Sequence, residues 1–357
     1  MNMANACWMR RSLDEPVSAL SIGPYQHIIV GGWNGRLTMW SNDGDELWSV
    51  HLPDRIGCIV TDGASIFATA GLHLCAINSE DGIITWQHAL EGSADQVTVI
   101  DKLIFATSSV YDIEHNDFID SAVWCFDEFG NKLWKKHIAE RPWALVNDSR
   151  KLFLGLGRPR TGVVEVATTG EMKHSPLPST SPVTTGVETA GGPLFGHANG
   201  DLTTLQDRVF DGDGSSISSV SCGSDNSITL CCNNKLSHLA ADFSPVWEVE
   251  LSSITALSRG LIIGGHETIW LGHARGTEYE LRVISQQNGE QISAMSCGKL
   301  TSIISDDNRV IAGDENGEVY VWEGGMFNRR LTDLSSELEQ DEKRALMRDK
   351  LNKLRKR

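Results

Sequence analysis

A Gly followed four residues later by a Trp recurs along this chain at a nearly constant interval, as Gly44/Trp48, Gly82/Trp86 and Gly130/Trp134. Trp8 to Trp48 spans 40 residues, Trp48 to Trp86 38 and Trp86 to Trp134 48. A fixed interval of this size means a structural repeat, in which each unit buries its apolar face only against its neighbours. Within a unit the pattern has period two: His27–Trp33, Arg36–Ser41 and Glu46–Leu52 alternate apolar and polar residues between tight turns. The block returns as Ser65–Gly71, His73–Asn78 and Ile83–Leu90, then as Lys102–Ser108, Ser121–Asp127 and Lys132–Ile138. Short alternating runs joined by Gly, Asn and Asp are antiparallel hairpins. The Gly supplies a hairpin turn with positive φ, and the Trp offers a large flat ring where neighbouring units dock.

A second mark fixes the register, a turn between the second and third strands: Gly32-Trp33-Asn34-Gly35, Gly196-His197-Ala198-Asn199-Gly200 and Gly313-Asp314-Glu315-Asn316-Gly317. The long third interval is accounted for by an insertion, Tyr111–Asp120, and the 113 residues from Trp134 to Trp247 fit three units with two Trp positions lost. The last unit, Leu300–Glu323, has only three strands, and Trp8 has no unit before it. Cys7–Leu13 is therefore expected to supply the missing fourth strand, closing a ring and removing open sheet edges. The reading is all-β: a β-propeller of seven to eight four-stranded blades over residues 7–325, eight being the more economical count. The weak block at 182–210 keeps seven open.

Past Glu323-Gly324-Gly325 the pattern changes, and residues 326–357 read as a helical tail. Ser336 with Glu339 can form a capping box, acids come early and bases late. An amphipathic helix is expected over Ser336–Lys356, with Leu338, Leu346, Leu351 and Leu354 on its binding face. Residues 331–357 carry 8 of the 31 Lys/Arg and 6 of the 47 Asp/Glu, so the acid of a chain at −16 lies in the ring. Such a body repels polyanions, and nucleic acid is not the expected partner. No run reaches the 18 apolar residues of a membrane span.

The stretch Ala76-Ile77-Asn78-Ser79-Glu80-Asp81-Gly82-Ile83-Ile84-Thr85-Trp86 resembles the repeat of the PQQ-like, tryptophan-docking β-propeller family, as does Val123–Trp134. Ala312–Trp322 and Gly31–Trp40 resemble WD40 repeats, although Trp40, Trp124 and Trp322 are followed by Ser, Cys and Glu rather than Asp. The resemblance covers about residues 7–325. It implies a propeller but not one function, because propellers host enzymes, scaffolds and receptors alike. The rival it raises is a small-ligand or quinone enzyme using the central channel, as in PQQ-dependent dehydrogenases, where a vicinal disulfide covers the cofactor. Cys231-Cys232 is adjacent but sits in the apolar run Ile228–Cys232, which reads as a buried strand. The eight cysteines show no paired spacing, and no apolar stretch follows the N-terminal Arg pair as in a secretory signal. A reducing, cytoplasmic compartment is expected.

No nucleophile elbow, phosphate loop or His-Glu-x-x-His motif occurs. The insertion's carboxylates and His115 lack calcium-loop spacing and read as a solvated hairpin tip. No catalytic residue, metal site or cofactor is expected. Loops of a four-stranded blade alternate between faces. Turns between strands three and four are acidic (Asp43, Asp45, Glu46, Glu80, Asp81, Asp127, Glu128), as solvated turns are. The opposite face, made by the two–three turns and the inter-blade links, is assigned Trp33, Arg55, Arg141, Trp143, Arg158, Arg160, His197, His266 and Lys299. Arg and Trp dominate interface hot spots. A non-catalytic scaffold with protein partners on this face, and on the tail, is the expected function.

Overall fold

The computed structural model describes residues 3–148, 151–251 and 253–330. They form eight four-stranded antiparallel sheets arranged as the blades of one ring. Blades one to seven are continuous in sequence, over 17–51, 56–89, 93–138, 142–175, 183–210, 217–250 and 254–297. Blade eight takes three strands from 300–323, and its fourth is the N-terminal strand Met9–Ser12, paired from Met9 opposite Val321 to Ser12 opposite Glu318. The block at 182–210 is a full blade, so the count of eight holds.

Burial follows strand position. Second strands such as Ile28–Gly32 and Leu152–Leu156 are buried at every residue, because neighbouring blades cover both of their faces. Outer strands such as Ile84–Ala89 alternate, with one face on the next blade and one in water. The apolar clusters lie between blades: Trp48 of blade one packs with Ile66, Ala68 and Ile77 of blade two. The ring closes by the same means. A Cβ on Gly313 of blade eight would stand 2.5 Å from Val17 of blade one, and the Arg309 guanidinium donates to the Gln26 carbonyl at 2.7 Å.

One device was not foreseen. A short helix, Met3–Ala6, and a helix over 324–330 pack at the junction of blades seven and eight. Met3 and Phe327 are wholly buried there against Trp270 and Trp322, and the Trp322 indole donates to the Met3 carbonyl at 3.1 Å. Each side chain so buried contributes about 1.5–3 kcal/mol. The two chain ends thus pin the blade that they jointly build. The expected helix over Ser336–Lys356, with Leu338, Leu346, Leu351 and Leu354, lies outside the described residues. No helix among the described residues is long and apolar enough to cross a membrane.

Candidate partner-binding face

The links between blades and the turns between second and third strands form one rim of the ring. On this rim Trp33 projects from the blade-one turn, 51% exposed, and the Arg55 guanidinium lies 4.0 Å above its ring. Two blades on, Arg141 is clasped between Phe118, 3.8 Å from its guanidinium, and Trp143, 4.3 Å away. Trp143 itself is 45% exposed. Asp95 fixes the clasp from beneath: its Oδ1 accepts from Arg141 Nη2 at 3.0 Å and from Ser93 Oγ at 2.8 Å. A cation on an aromatic face in such a setting is worth about 0.5–2 kcal/mol. The insertion serves the clasp, because it extends the blade-three hairpin (Leu103–Asp112 and Asp117–Phe126) far enough to carry Phe118 over Arg141. Its exposed tip holds Asp112 paired with His115 at 2.8 Å, which keeps the Asp112 carboxyl below the usual range.

These groups open onto two adjoining hollows. One, of about 600 Å³, runs from Trp33 and Arg55 past Gly57 and Asp95 to Trp143. The other, of about 370 Å³, continues from Phe118 and Trp143 past Arg158 to Ala198 of blade five. Arg141 and Trp143 belong to both, so the trough is continuous over blades one to five. Five of the nine rim residues read from the sequence therefore meet at one place. Arg160 is exposed two residues beyond Arg158 in the same turn.

Three do not join them. His197 is wholly buried, not a surface residue: its ring nitrogens bond the Ser181 carbonyl and the Thr203 hydroxyl, both at 2.9 Å, and burial pushes its pKa down. His266 lies on the other face. It follows the Gly264-Gly265 turn between strands one and two of blade seven, and Gln287 of the acidic-side turn bonds it. Lys299 is on the correct rim but in the link between blades seven and eight, across the ring from Arg141 and Arg158.

The rim carries a feature that sequence reading missed. Every first strand has a one-residue bulge just inside it, and the extra residues are Ser18, Gly57, Asp95, Trp143, Thr184, Ser218, Thr255 and Thr301. Five of them carry a hydroxyl, and four of those donate it to the main chain. Ser18 bonds the Ile56 carbonyl of the next blade at 2.7 Å, and Thr184 bonds that of Ile217 at 2.6 Å. The three exceptions, Gly57, Asp95 and Trp143, are consecutive and all line the larger hollow. Superposing the eight first strands by their leading apolar residue (Val17, Ile56, Ala94, Pro142, Val183, Ile217, Ile254, Leu300) exposes the pattern in the sequence alone.

On the opposite face the acids are turn residues at work. Asp127 accepts from the Phe129 and Asn131 amides and Asp81 from that of Ile83. Cys231 and Cys232 are free and buried, and successive residues of a strand point apart: Cys231 joins the core toward blade seven, Cys232 that toward blade five. Among the described residues, Glu91, Asp120 and His137 could converge on a cation, with their ligand atoms within 4.8 Å. The group is open to solvent, and the Lys135 ammonium already pairs with Glu91.

The fold and this rim define a class, the eight-bladed propeller with tryptophan docking between blades. Residues 7–150 match the family model described as outer membrane protein assembly factor BamB, which carries the PQQ-like resemblance over that part of the chain. Among solved structures, BamB from Moraxella catarrhalis has a TM-score of 0.69 at 17% identity, covering 89% of this chain and 97% of its own. Sqt1 from Saccharomyces cerevisiae has a TM-score of 0.69 at 11% identity (89% and 99% covered), and the computationally designed Ika8 protein 0.64 at 16% (88% and 98%). At such identities the likeness is one of fold. No curated protein matches the sequence.

Proposed function

We propose that this chain is a non-catalytic scaffold of the cytoplasm that holds a protein partner on the rim of blades one to four, with residues 326–357 as a second handle through Leu338, Leu346, Leu351 and Leu354. One observation carries the reading: two guanidiniums, Arg55 on Trp33 and Arg141 between Phe118 and Trp143, converge on one continuous trough. Stacked Arg and half-exposed Trp side chains are ordered before binding, so little side-chain entropy remains to be lost when a partner arrives. That the matched family is described as an assembly factor is in keeping with a holding role. The cysteines speak for the compartment, since all eight are free and four are buried. They also count against the quinone-enzyme reading, because Cys231 and Cys232 point into different cores and cannot together cover a ligand.

Co-purification from native lysate tests this, with wild type compared against Arg55→Glu/Arg158→Glu/Arg160→Glu and against a chain ending at Arg330, which keeps the buried Phe327. Loss of one stoichiometric partner with the Arg changes supports the rim. Loss with the truncation alone moves the function to the tail. A wild type that retains nothing above background contradicts the scaffold.

A further inference from the structure

The trough is balanced in charge. Its walls set three carboxylates, Asp54, Asp95 and Asp117, against three guanidiniums, Arg55, Arg141 and Arg158. A ligand of either sign meets repulsion there as well as attraction, so net charge selects neither. Hydrogen-bonding capacity is not balanced. Each carboxylate already accepts from its own surroundings: Asp54 from the Arg55 amide at 2.7 Å, Asp117 from the Phe118 amide at 2.8 Å, and Asp95 from Arg141 and Ser93. The wall hydroxyls turn inward, Ser93 to the Ser109 carbonyl and Thr184 to that of Ile217. Donors are left over. Eight of the eleven Trp side chains donate their indole N–H within the chain, at 2.7–3.4 Å. Of the other three, Trp40 is buried, whereas Trp33 and Trp143 stand half-exposed on the trough. Among the described residues neither of these two indoles has an acceptor, and the Arg55 and Arg158 guanidiniums have none either. The aromatic rings make a ridged wall beside them. Tyr111, Phe118 and Trp143 follow one another edge to face, with centroids 5.1 and 6.0 Å apart.

We infer that the trough is a receptor for a proline-rich segment of a protein partner in the polyproline II conformation, an inference that rests on the scaffold reading above. Pro has no N–H, and a polyproline II strand makes no internal hydrogen bonds, so its carbonyls are open acceptors on every side. The Trp33 and Trp143 indoles donate to these carbonyls, with the Arg55 and Arg158 guanidiniums beside them. An ordinary extended peptide, with an N–H at each residue, would bring donors to walls that already have too many. A run of Pro is also neutral, as the balanced walls require. Its rings pack between aromatic rings set at an angle, as such segments do in other aromatic-lined grooves. Both sides are ordered before they meet, the Arg side chains by stacking and the segment by its fixed φ, so little conformational entropy is lost.

The test is NMR titration of the full chain, 15N-labelled at its Trp indoles, with acetylated decaproline amide. Trp33→Phe and Trp143→Phe assign the two signals, each keeping a ring and removing one donor. Saturable movement of both signals together is expected, with the other indoles still. Either substitution should weaken decaproline about fivefold, as the loss of one neutral hydrogen bond does. Gly157→Ala should do the same with both Trp residues in place, because its Cβ would stand 2.6 Å from Trp143 Nε1 and turn the indole aside. Trp33→Phe, on an exposed turn, keeps the test readable should a change near Trp143 disturb folding. Decaglutamate or decalysine moving the two signals where decaproline does not would overturn the proline chemistry and leave the scaffold standing. Decaproline binding undiminished by Trp33→Phe and Gly157→Ala would overturn the site. No movement with any of the three peptides would overturn the inference, and co-purification with the Arg variants then decides the scaffold by itself.

Discussion

The indole of Trp48 lies flat against Gly82 of the next blade, where a Cβ would fall 2.7 Å from the ring, and its N–H donates to the Ser79 carbonyl at 2.9 Å. The same joint links Trp86 to Gly130 and the Glu128 carbonyl, Trp134 to Gly170 and that of Thr168, and Trp247 to Gly289 and that of Gln286. Across the ring closure Trp8 repeats only the hydrogen bond, donating to the Asn42 carbonyl at 3.4 Å, while Met9 and Arg11 rather than the indole stand over Gly44. The Gly therefore serves two residues: its own turn, at φ +73 for Gly82, and the preceding blade's Trp. Gly82→Ala should cost about 2–4 kcal/mol, combining left-handed strain with overpacking. Gly63→Ala, at φ +56 with open space around it, should cost only about 1 kcal/mol. Urea unfolding of the two variants separates the terms.

Removing residues 1–12 uncovers the Glu318–Glu323 edge and the Phe327 contact at once. We expect a loss of about 5 kcal/mol, roughly 10 °C or more in melting temperature. Concentration-dependent association through the open edge should accompany it. Thermal melts and size-exclusion chromatography of the truncated chain report both.

Burial pushes the thiols of Cys75, Cys125, Cys232 and Cys297 up to about 12. Since the thiolate is the reactive form, these four should resist a disulfide reagent in native protein at pH 8 and react at once in denaturant. Mild oxidation should leave Cys231 and Cys232 unlinked.

His197 and His238 are held neutral by burial, each with its pKa below the ordinary 6.5. The unfolded chain takes up these protons first, so this stability is whole above about pH 6.5 and drains as pH falls toward the folded values. Unfolding free energy should drop between pH 7 and 5, and less steeply in His197→Gln. Asp314, raised by burial, acts in the opposite sense at more acid pH.

The ring, its closure and the docking Trp residues were legible because each is written in local chemistry: a Gly whose turn needs positive φ, and a Trp four residues on. Gly170 kept its half of the joint while the position four residues on became His174, which turns instead to the Thr161 carbonyl. Rim residues were legible to the extent that loop parity was. His266 was misplaced because the blade-seven hairpin (Ile254–Ile263 and His266–Arg275) is longer than its neighbours and shifts the turn count. His197 was misjudged because a turn motif does not say which side chains point inward. The bulges were missed because one extra residue does not disturb the apolar alternation of a single strand, and shows only when all eight first strands are aligned on their leading apolar residue.

The proposed scaffold meets its protein partner on the rim of blades one to four and not on the acidic face. A photo-activated cross-linking residue placed in turn at Trp33, Arg158, Glu80 and Asp127, and irradiated in living cells, tests it most directly. One adduct of common mass is expected from positions 33 and 158 and none from 80 and 127. Adducts from 80 and 127 alone, or from no position, would contradict it.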